Sequence, residues 1–579
     1  MARRYHASTV PFQTIAASTA YAALLVMLTL MPLCTERAWL PLPGAYAVRQ
    51  VRFVDYLGRK KREQGGPLGH GESAVNSDSE VDCCSDVVET RIEQRLDHFS
   101  EHGGGGSTGS FHQRYFYTRR FVAAAAANAN TRTYAFVCMG GEGPALTKRV
   151  LVDSVHCTGD MIELAKRLHQ DQGADVYLFA LEHRYYGESY PDFFNRKGGS
   201  QSPVLNKNLV YLSSRQALAD FAHFMTTVRS SLLAGAKNTK VVTFGGSYPG
   251  MLAAWARYKF PHIVHAAVSN SAPVQAELDF FQYNEHVWFD LGLATVGGEA
   301  SCQNTISEGH KQIATALLDD EHDDAESRRV AEMFNLCDGG AAALRDSKNA
   351  SAFLGDGVIY IPAQANDPAC HGELCNIRNI CSFVNDQRSS QDGNQTEPIE
   401  ILAEIARQQN NGTCVEVNWE GTIRYISSAE AQVEGTRSWL WQTCTEFGFY
   451  QTCEKTSLCP YGKGFHPLGL DFEICERCFG VDRNDVRDNV QDSLDYYGGW
   501  GIESSRIMFV NGEVDPWAML GVTVEHAGAN KPTLWVKGAS HHFWTHPVKD
   551  TDGYEIVAAR DAIYRQVMIW LDEGVTALI

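Results

Sequence analysis

The pattern of apolar and polar positions changes character twice along the chain. From about residue 131, short apolar runs alternate with amphipathic stretches. Thr133 to Met139 is a nearly continuous apolar run ending in Gly140-Gly141, which predicts a buried strand closed by a tight turn. Helical spacing follows over Met161 to His169, then a strand over Val176 to Leu181 and a long amphipathic helix over Ser214 to Leu233. Next come a strand over Lys240 to Phe244, a helix over Met251 to Lys259 that stops before Pro261, and a strand over Val264 to Val268. Strands alternating with helices predict a mostly parallel sheet with helices on both faces.

The alternation lapses between about 285 and 495. This region holds 11 of the 16 cysteines and helical patches at Lys311 to Leu318 and Arg328 to Phe334. We read residues 286–495 as an inserted, disulfide-rich, mainly helical cap. The strand–helix rhythm then returns with strands over Arg506 to Val510 and Thr533 to Val536 and a closing helix over Ile556 to Leu571. The expected fold class is α/β, with a first core part over 90–285 and a second over 496–579. No internal repeat is present.

Arg3 and Arg4 precede an apolar run from Ile15 to Leu33, so residues 1–47 read as a secretory signal with cleavage after Ala45-Tyr46-Ala47. The run is longer than a cleaved signal needs, which keeps a membrane anchor as the alternative. Residues 48–89 are polar and read as a leader of low order, and Gly103 to Gly106 as a turn or flexible loop. Secretion makes the cysteines disulfide candidates. Setting aside Cys34 in the targeting segment leaves an odd number, and Cys138, inside an apolar strand run, is the expected unpaired thiol. Cys475 and Cys478 are expected to form a structural disulfide rather than a metal or redox pair. Asn349, Asn394 and Asn411 begin N-x-[ST] sequons and are candidate glycosylation sites. A net charge of -19 argues against a nucleic-acid partner.

The strongest chemical signal is Val241-Val242-Thr243-Phe244-Gly245-Gly246-Ser247-Tyr248-Pro249-Gly250. A strand runs into a glycine turn with a serine at its apex, and a helix follows, which is the geometry of a nucleophile elbow on an α/β-hydrolase core. A serine needs a base to take its proton, and in that fold an acid and then a histidine follow it in the chain. Asp515, in the loop after Phe509-Val510-Asn511-Gly512, is the candidate acid, with Glu513 as rival. His541, on the loop opened by Gly538, is the candidate base, with His542 and His546 as rivals. Two backbone amides must hold the oxyanion. Tyr248 is expected to supply one and Gly141, in Gly140-Gly141-Glu142-Gly143-Pro144, the other.

Several motifs in order carry a resemblance: Leu96-Asp97-His98-Phe99, the Gly140 to Pro144 stretch, Leu181-Glu182-His183-Arg184-Tyr185-Tyr186-Gly187-Glu188-Ser189, Tyr211 to Leu218 and the elbow. Ser271-Ala272-Pro273, Trp441-Gln442-Thr443-Cys444-Thr445-Glu446-Phe447-Gly448, Asp515-Pro516-Trp517 and Gly538 to His541 complete the set. On these the chain resembles the Pro-Xaa carboxypeptidase, dipeptidyl peptidase II and thymus-specific serine protease family, and looks closest to the thymus-specific branch. The resemblance implies a serine exopeptidase with its triad at Ser247, Asp515 and His541. It also implies a cap that admits only a peptide end, a preference for proline beside the cut, and no cofactor or metal. Glu142 is a candidate substrate-binding residue, positioned to take an amino terminus if the enzyme is a dipeptidase. Glu182 and Arg184 read as buried ion-pair residues with a structural role. Two departures from the family pattern stand out: Pro249 where glycine is common, and Phe543-Trp544 after the paired histidines. The expected partner is a peptide substrate, with a membrane involved only if the N-terminal segment stays attached. A homodimer is a further option. A secreted esterase or lipase on the same core and a non-catalytic binding module are the competing functions.

Overall fold

The chain is described by a computed structural model over residues 84–100, 109–123, 131–191, 206–236, 238–318, 324–337, 339–389, 395–528 and 531–573. The expected signal or anchor, nearly all of the leader, Gly103 to Gly106, Cys34 and Asn394 lie outside these residues. No helix among the described residues is long and apolar enough to cross a membrane.

The strands are β1 (Val87–Arg95), β2 (Ser110–Phe121), β3 (Thr133–Met139), β4 (Asp175–Leu181), β5 (Lys240–Gly246), β6 (Ala266–Asn270), β7 (Glu277–Asp279), β8 (Gly448–Tyr450), β9 (Ile507–Gly512) and β10 (Thr533–Val536). Eight of them form one sheet in the order β1-β2-β4-β3-β5-β6-β9-β10, with β7 and β8 paired separately. β1–β2 and β2–β4 are antiparallel, and every other pair in the large sheet is parallel. This mixed sheet, with helices between its parallel strands, is the α/β-hydrolase architecture. The two antiparallel strands were not anticipated from the sequence. β1 carries five charged or amide side chains among nine residues, and Val87 to Glu89 had been assigned to the leader.

All seven residues of β3 are buried. Side chains alternate across a strand, so the two faces feed different cores. Ala135, Val137 and Met139 pack with Phe221, Phe224 and Trp255 from the helices Ser214–Ser230 and Tyr248–Lys259. Tyr134, Phe136 and Cys138 pack with Leu164 and Ile563 from the helices Glu163–Gln172 and Tyr554–Asp572. The central strands are thus covered on both sides, as their unbroken apolar runs predict.

The expected insertion enters after β6 and leaves before β9. Its helices include Ala300–Leu318, Ile377–Arg388, Pro398–Gln409 and Arg483–Tyr497. Cap residues Ile306 and Leu402 belong to the same apolar cluster as Val137 and Trp255, so the cap shares a core with one face of the sheet. Cys302–Cys381 ties two of its helices, and Cys337–Cys414, Cys370–Cys375, Cys444–Cys475 and Cys453–Cys459 close further loops.

Two cysteine expectations fail. Cys138 is not a free thiol: it bonds Cys157, because the segment leading into the Thr158–Ile162 turn crosses the face on which that strand side chain emerges. Cys475 pairs with Cys444 rather than Cys478, since it faces the neighbouring turn Thr443–Phe447. Cys478 is left as a buried thiol with its sulfur 3.8 Å from the Ile423 carbonyl.

Glu182 and Arg184 are both buried ion-pair residues, though each has a different partner. Arg184 grips Asp220 with Nε and Nη2, both at 2.7 Å, and both residues are fully enclosed. Glu182 accepts from Arg114 Nη2 at 2.6 Å, from Ser189 Oγ at 2.7 Å and from Leu146 N at 3.0 Å. The end of β4 is therefore a polar knot that fixes the loop after β3. Removing one partner of such a pair costs about 3–5 kcal/mol.

Peptide mapping without reduction should recover Cys138 linked to Cys157 and Cys444 linked to Cys475. Cys478 should take an alkylating label only after denaturation. A Cys475–Cys478 link in the folded protein would contradict this arrangement.

Candidate active site

β5 ends at Gly246 and the helix Tyr248–Lys259 starts one residue later, so Ser247 alone turns the chain. Its backbone is left-handed, with φ 64° and ψ −135°, a conformation that costs a non-glycine residue about 1–3 kcal/mol. The surroundings hold it there. Ser247 N donates to Asn270 O at 2.9 Å, and Met251 N donates to Ser247 O at 3.0 Å. The flanking glycines are needed for space. A Cβ on Gly245 would stand 2.3 Å from Pro249 O, and one on Gly246 would stand 2.7 Å from His542 Cγ. Pro249 falls in the first helical turn, where its missing N–H costs nothing. Its ring lies against Gly141, where a Cβ would come within 2.4 Å of Cγ. The proline thus docks the loop after β3 onto the elbow.

Asp515 closes the loop after β9 and is fully buried. His541 Nδ1 donates to its carboxylate, at 2.9 Å from each oxygen. The other ring nitrogen, His541 Nε2, is buried without a hydrogen-bond partner among the described residues. The rivals are engaged elsewhere. Glu513 Oε2 accepts from Gly538 N at 2.8 Å. His542 N donates to Ser271 Oγ at 2.8 Å, and its ring packs on Gly246. Burial holds His542 well below the usual histidine range and pushes His546 down to about 3. The loop bearing His541 is therefore pressed against the residue that precedes Ser247.

Gly141 N and Tyr248 N take part in none of the loop hydrogen bonds among the described residues. Beside them, Glu142 has a buried Oε2 with no partner. Burial pushes its carboxyl up to about 7, and His541 pulls in the opposite direction. The nearby phenols are already committed. Tyr186 Oη donates to Gln442 Oε1 at 2.8 Å. His183 Nδ1 donates to Arg184 O at 2.7 Å, so its Nε2 accepts from Tyr248 Oη at 2.9 Å. Gln442 Nε2 donates to Tyr248 Oη and to Glu446 Oε2, both at 3.0 Å, and Glu446 accepts from Ser214 Oγ at 2.5 Å. The cap motif from Trp441 to Gly448 is thereby tied to the residue after the serine.

Several of these residues were not singled out from the sequence. Gln442 and Glu446 stood only inside a motif. Gln364 carried no signal at all, yet its carbonyl accepts from His541 N at 3.2 Å and its Oε1 accepts from Trp517 Nε1 at 3.1 Å. Trp544, noted as a departure, is fully buried and donates from Nε1 to Asn270 Oδ1 at 2.8 Å. Of the sequon asparagines, Asn411 sits at an exposed turn with φ 51°. Asn349 is half-buried, with Nδ2 donating to Ala343 O at 3.2 Å and Oδ1 accepting from Trp419 N at 2.8 Å.

The family described as serine carboxypeptidase S28 matches residues 94–563. Thymus-specific serine protease from Mus musculus is 34% identical over 402 residues, covering 68% of this chain and 74% of the relative. The Homo sapiens protein of the same name is 32% identical over 402 residues, with 68% and 73% covered. Lysosomal Pro-X carboxypeptidase from Homo sapiens is 26% identical over 492 residues, with 83% and 87% covered.

The raised Glu142 carboxyl has a consequence for stability. An unfolded glutamate ionises near pH 4.5, whereas this one stays protonated to about 7 in the folded chain. Its contribution is full below the lower value and is lost as pH rises through the upper one. Glu142→Gln should therefore melt at a higher temperature than the parent at pH 7.5, and the difference should vanish near pH 4. Calorimetry at the two pH values checks this.

Proposed function

The chain belongs to the serine carboxypeptidase S28 family and is a serine-type peptidase, and from that premise we propose that it is an exopeptidase whose nucleophile is Ser247, whose base is His541 and whose orienting acid is Asp515. The observation that carries the reading is the state of His541. One ring nitrogen is saturated by a buried carboxylate, and the other is buried, unpartnered and on the loop that touches the elbow.

Asp515 keeps the proton of neutral His541 on Nδ1, which leaves Nε2 as the base. Nε2 takes the Ser247 hydroxyl proton as Oγ attacks the scissile carbonyl. The carbonyl oxygen, now negative, is held by the amides of Tyr248 and Gly141. The imidazolium then gives its proton to the departing amine, and the acyl-enzyme remains on Ser247. Water reverses the sequence, with His541 again acting as base. Pre-aimed donors of this kind contribute about 3–4 kcal/mol each to the transition state.

The cap approaches the loop that carries Glu142. Gly435, which opens its helix Thr436–Gln442, comes within 3.2 Å of Gly143 O at a notional Cβ. A cap this close to that loop favours a chain end over the middle of a long peptide, and preference for proline beside the cut follows the name of the Pro-X relative. Glu142, on that loop, is the candidate to bind the terminal group of the peptide. Six disulfides among the described residues and the lysosomal name of one relative support passage through the secretory pathway.

Ser247→Ala should lower kcat by roughly 10⁴- to 10⁶-fold and abolish labelling by a fluorophosphonate probe, which should otherwise add to Ser247. Retention of near-normal peptidase activity in that variant would refute the assignment. Matched proline peptides blocked at the amino or the carboxyl end should differ strongly in rate, and equal cleavage of peptides blocked at both ends would rule out an exopeptidase.

A further inference from the structure

Behind the elbow lies a carboxyl that the reaction above leaves unused. Asp160 is fully buried in the turn Thr158–Ile162. Its Oδ1 accepts from Met161 N at 2.7 Å and its Oδ2 from Asn270 Nδ2 at 2.8 Å. Neither partner is a cation. Arg560, the base that acts on Asp160, gives Nη1 to Asp552 at 2.6 Å, Nε to Trp544 O at 2.8 Å and Nη2 to His546 O at 3.1 Å. Burying an acid with no cation bonded to it is expensive, and here its hydrogen bonds lead toward the turn at Ser247.

Asn270 is the junction. Its carbonyl accepts from Ser247 N at 2.9 Å, its Nδ2 also donates to Gly245 O at 3.1 Å, and its Oδ1 accepts from Trp544 Nε1 at 2.8 Å. An indole N–H only donates, so the amide oxygen must face Trp544, and the amide nitrogen must then face Asp160 and Gly245. One side chain therefore spans the strand before Ser247 and the turn three residues after His541. The contact at the Asp160 turn is equally close: a Cβ on Gly159 would stand 2.2 Å from Trp544 O, and Gly159 O accepts from Tyr564 Oη.

We propose that Asp160 is a positioning residue, which fixes the amide of Asn270 and through it holds the Ser247 backbone and the turn behind His541 in register. The proposal rests on the Ser247–His541 reading. The ionised form fits the site, because both oxygens face N–H donors and a carboxyl proton would meet one of them. Burial pushes Asp160 up to about 7, so this fit is lost as pH falls below neutrality. The groups around it do not take over that titration. Arg560 is paired with Asp552, Tyr564 is pushed above its usual range, His542 and His546 are kept neutral by burial, and His156 on the same segment is exposed to solvent. Arg149, on the adjoining turn, is paired with Asp153.

The test uses the full chain with Asp160→Asn, Trp544→Phe and the double variant. Kinetics are read on whichever end-blocked proline peptide the parent cleaves, alongside the rate of fluorophosphonate labelling. An asparagine at 160 sets an amide NH₂ against one of the two donors, so kcat and labelling rate should fall about tenfold, the scale of one hydrogen bond, with KM within about twofold. The parent's log kcat against pH should carry a step of about one log unit near neutrality that is absent from Asp160→Asn, which a purely structural loss would not produce. Trp544→Phe should give a similar drop in kcat, and the double variant should be no slower than the slower single, as expected for one unit. Unchanged kcat and pH profile in Asp160→Asn, or additive losses in the double variant, would overturn the proposal. If Asp160→Asn does not fold, Trp544→Phe carries the test alone: kcat unchanged in that variant overturns the proposal. Failure of the parent to label at Ser247 would instead remove the hydrolase reading itself.

Discussion

A single left-handed residue sets the terms for everything around it. Ser247 can occupy φ 64° only because its neighbours leave room and its backbone is tied on both sides. The strain puts the hydroxyl at the apex of a turn, clear of both strand and helix. It also dictates the neighbours. Gly245 and Gly246 must lack side chains, Asn270 must present its carbonyl, and the loop carrying His542 must pack flush on Gly246. Pro249, which looks like a disturbance of the elbow, is one of its supports. It fills the first helical turn and seats Gly141 beside the serine.

Around that turn the polar groups are sorted by whether their hydrogen bonds are complete. Glu182, Arg184, Asp220 and Glu446 are buried charges or acids with full sets of partners, and they hold loops in place. His541 Nε2 and Glu142 Oε2 are buried atoms with none. A folded protein seldom leaves such atoms unpaired.

The cap is more than a cover. It shares an apolar cluster with the sheet, sends Gln442 to the hydroxyl of Tyr248, and sends the carbonyl of Gln364 to His541 N. Moving the cap would disturb the turn at Ser247 and the loop of His541 together. The disulfides staple the cap to itself, whereas its attachment to the core is by packing and hydrogen bonds.

Much of this was legible along the chain. Unbroken apolar runs mark strands buried on both faces, and the glycine–serine–helix sequence at 245–250 marks the elbow, because local sterics alone demand it. The order Ser247, Asp515, His541 matches the chain order expected of that fold. Other features were not legible, since they depend on what lies opposite in space. β1 and β2 are too polar to declare themselves until β4 is beside them. Cys138 looks like a buried thiol until Cys157 crosses its face, and Cys475 prefers Cys444 because side-chain direction outweighs closeness in sequence. Glu513 and His542 stood as rivals to Asp515 and His541, and the packed loops commit them to Gly538 and Ser271. Sequence determined the elements and the residues able to carry the chemistry, since these rest on short-range periodicity and turn sterics. Tertiary structure alone decided which of them are paired, which are left open, and which, like Asn270 and Gln364, bridge segments far apart in the chain, because partner choice is set by three-dimensional contact.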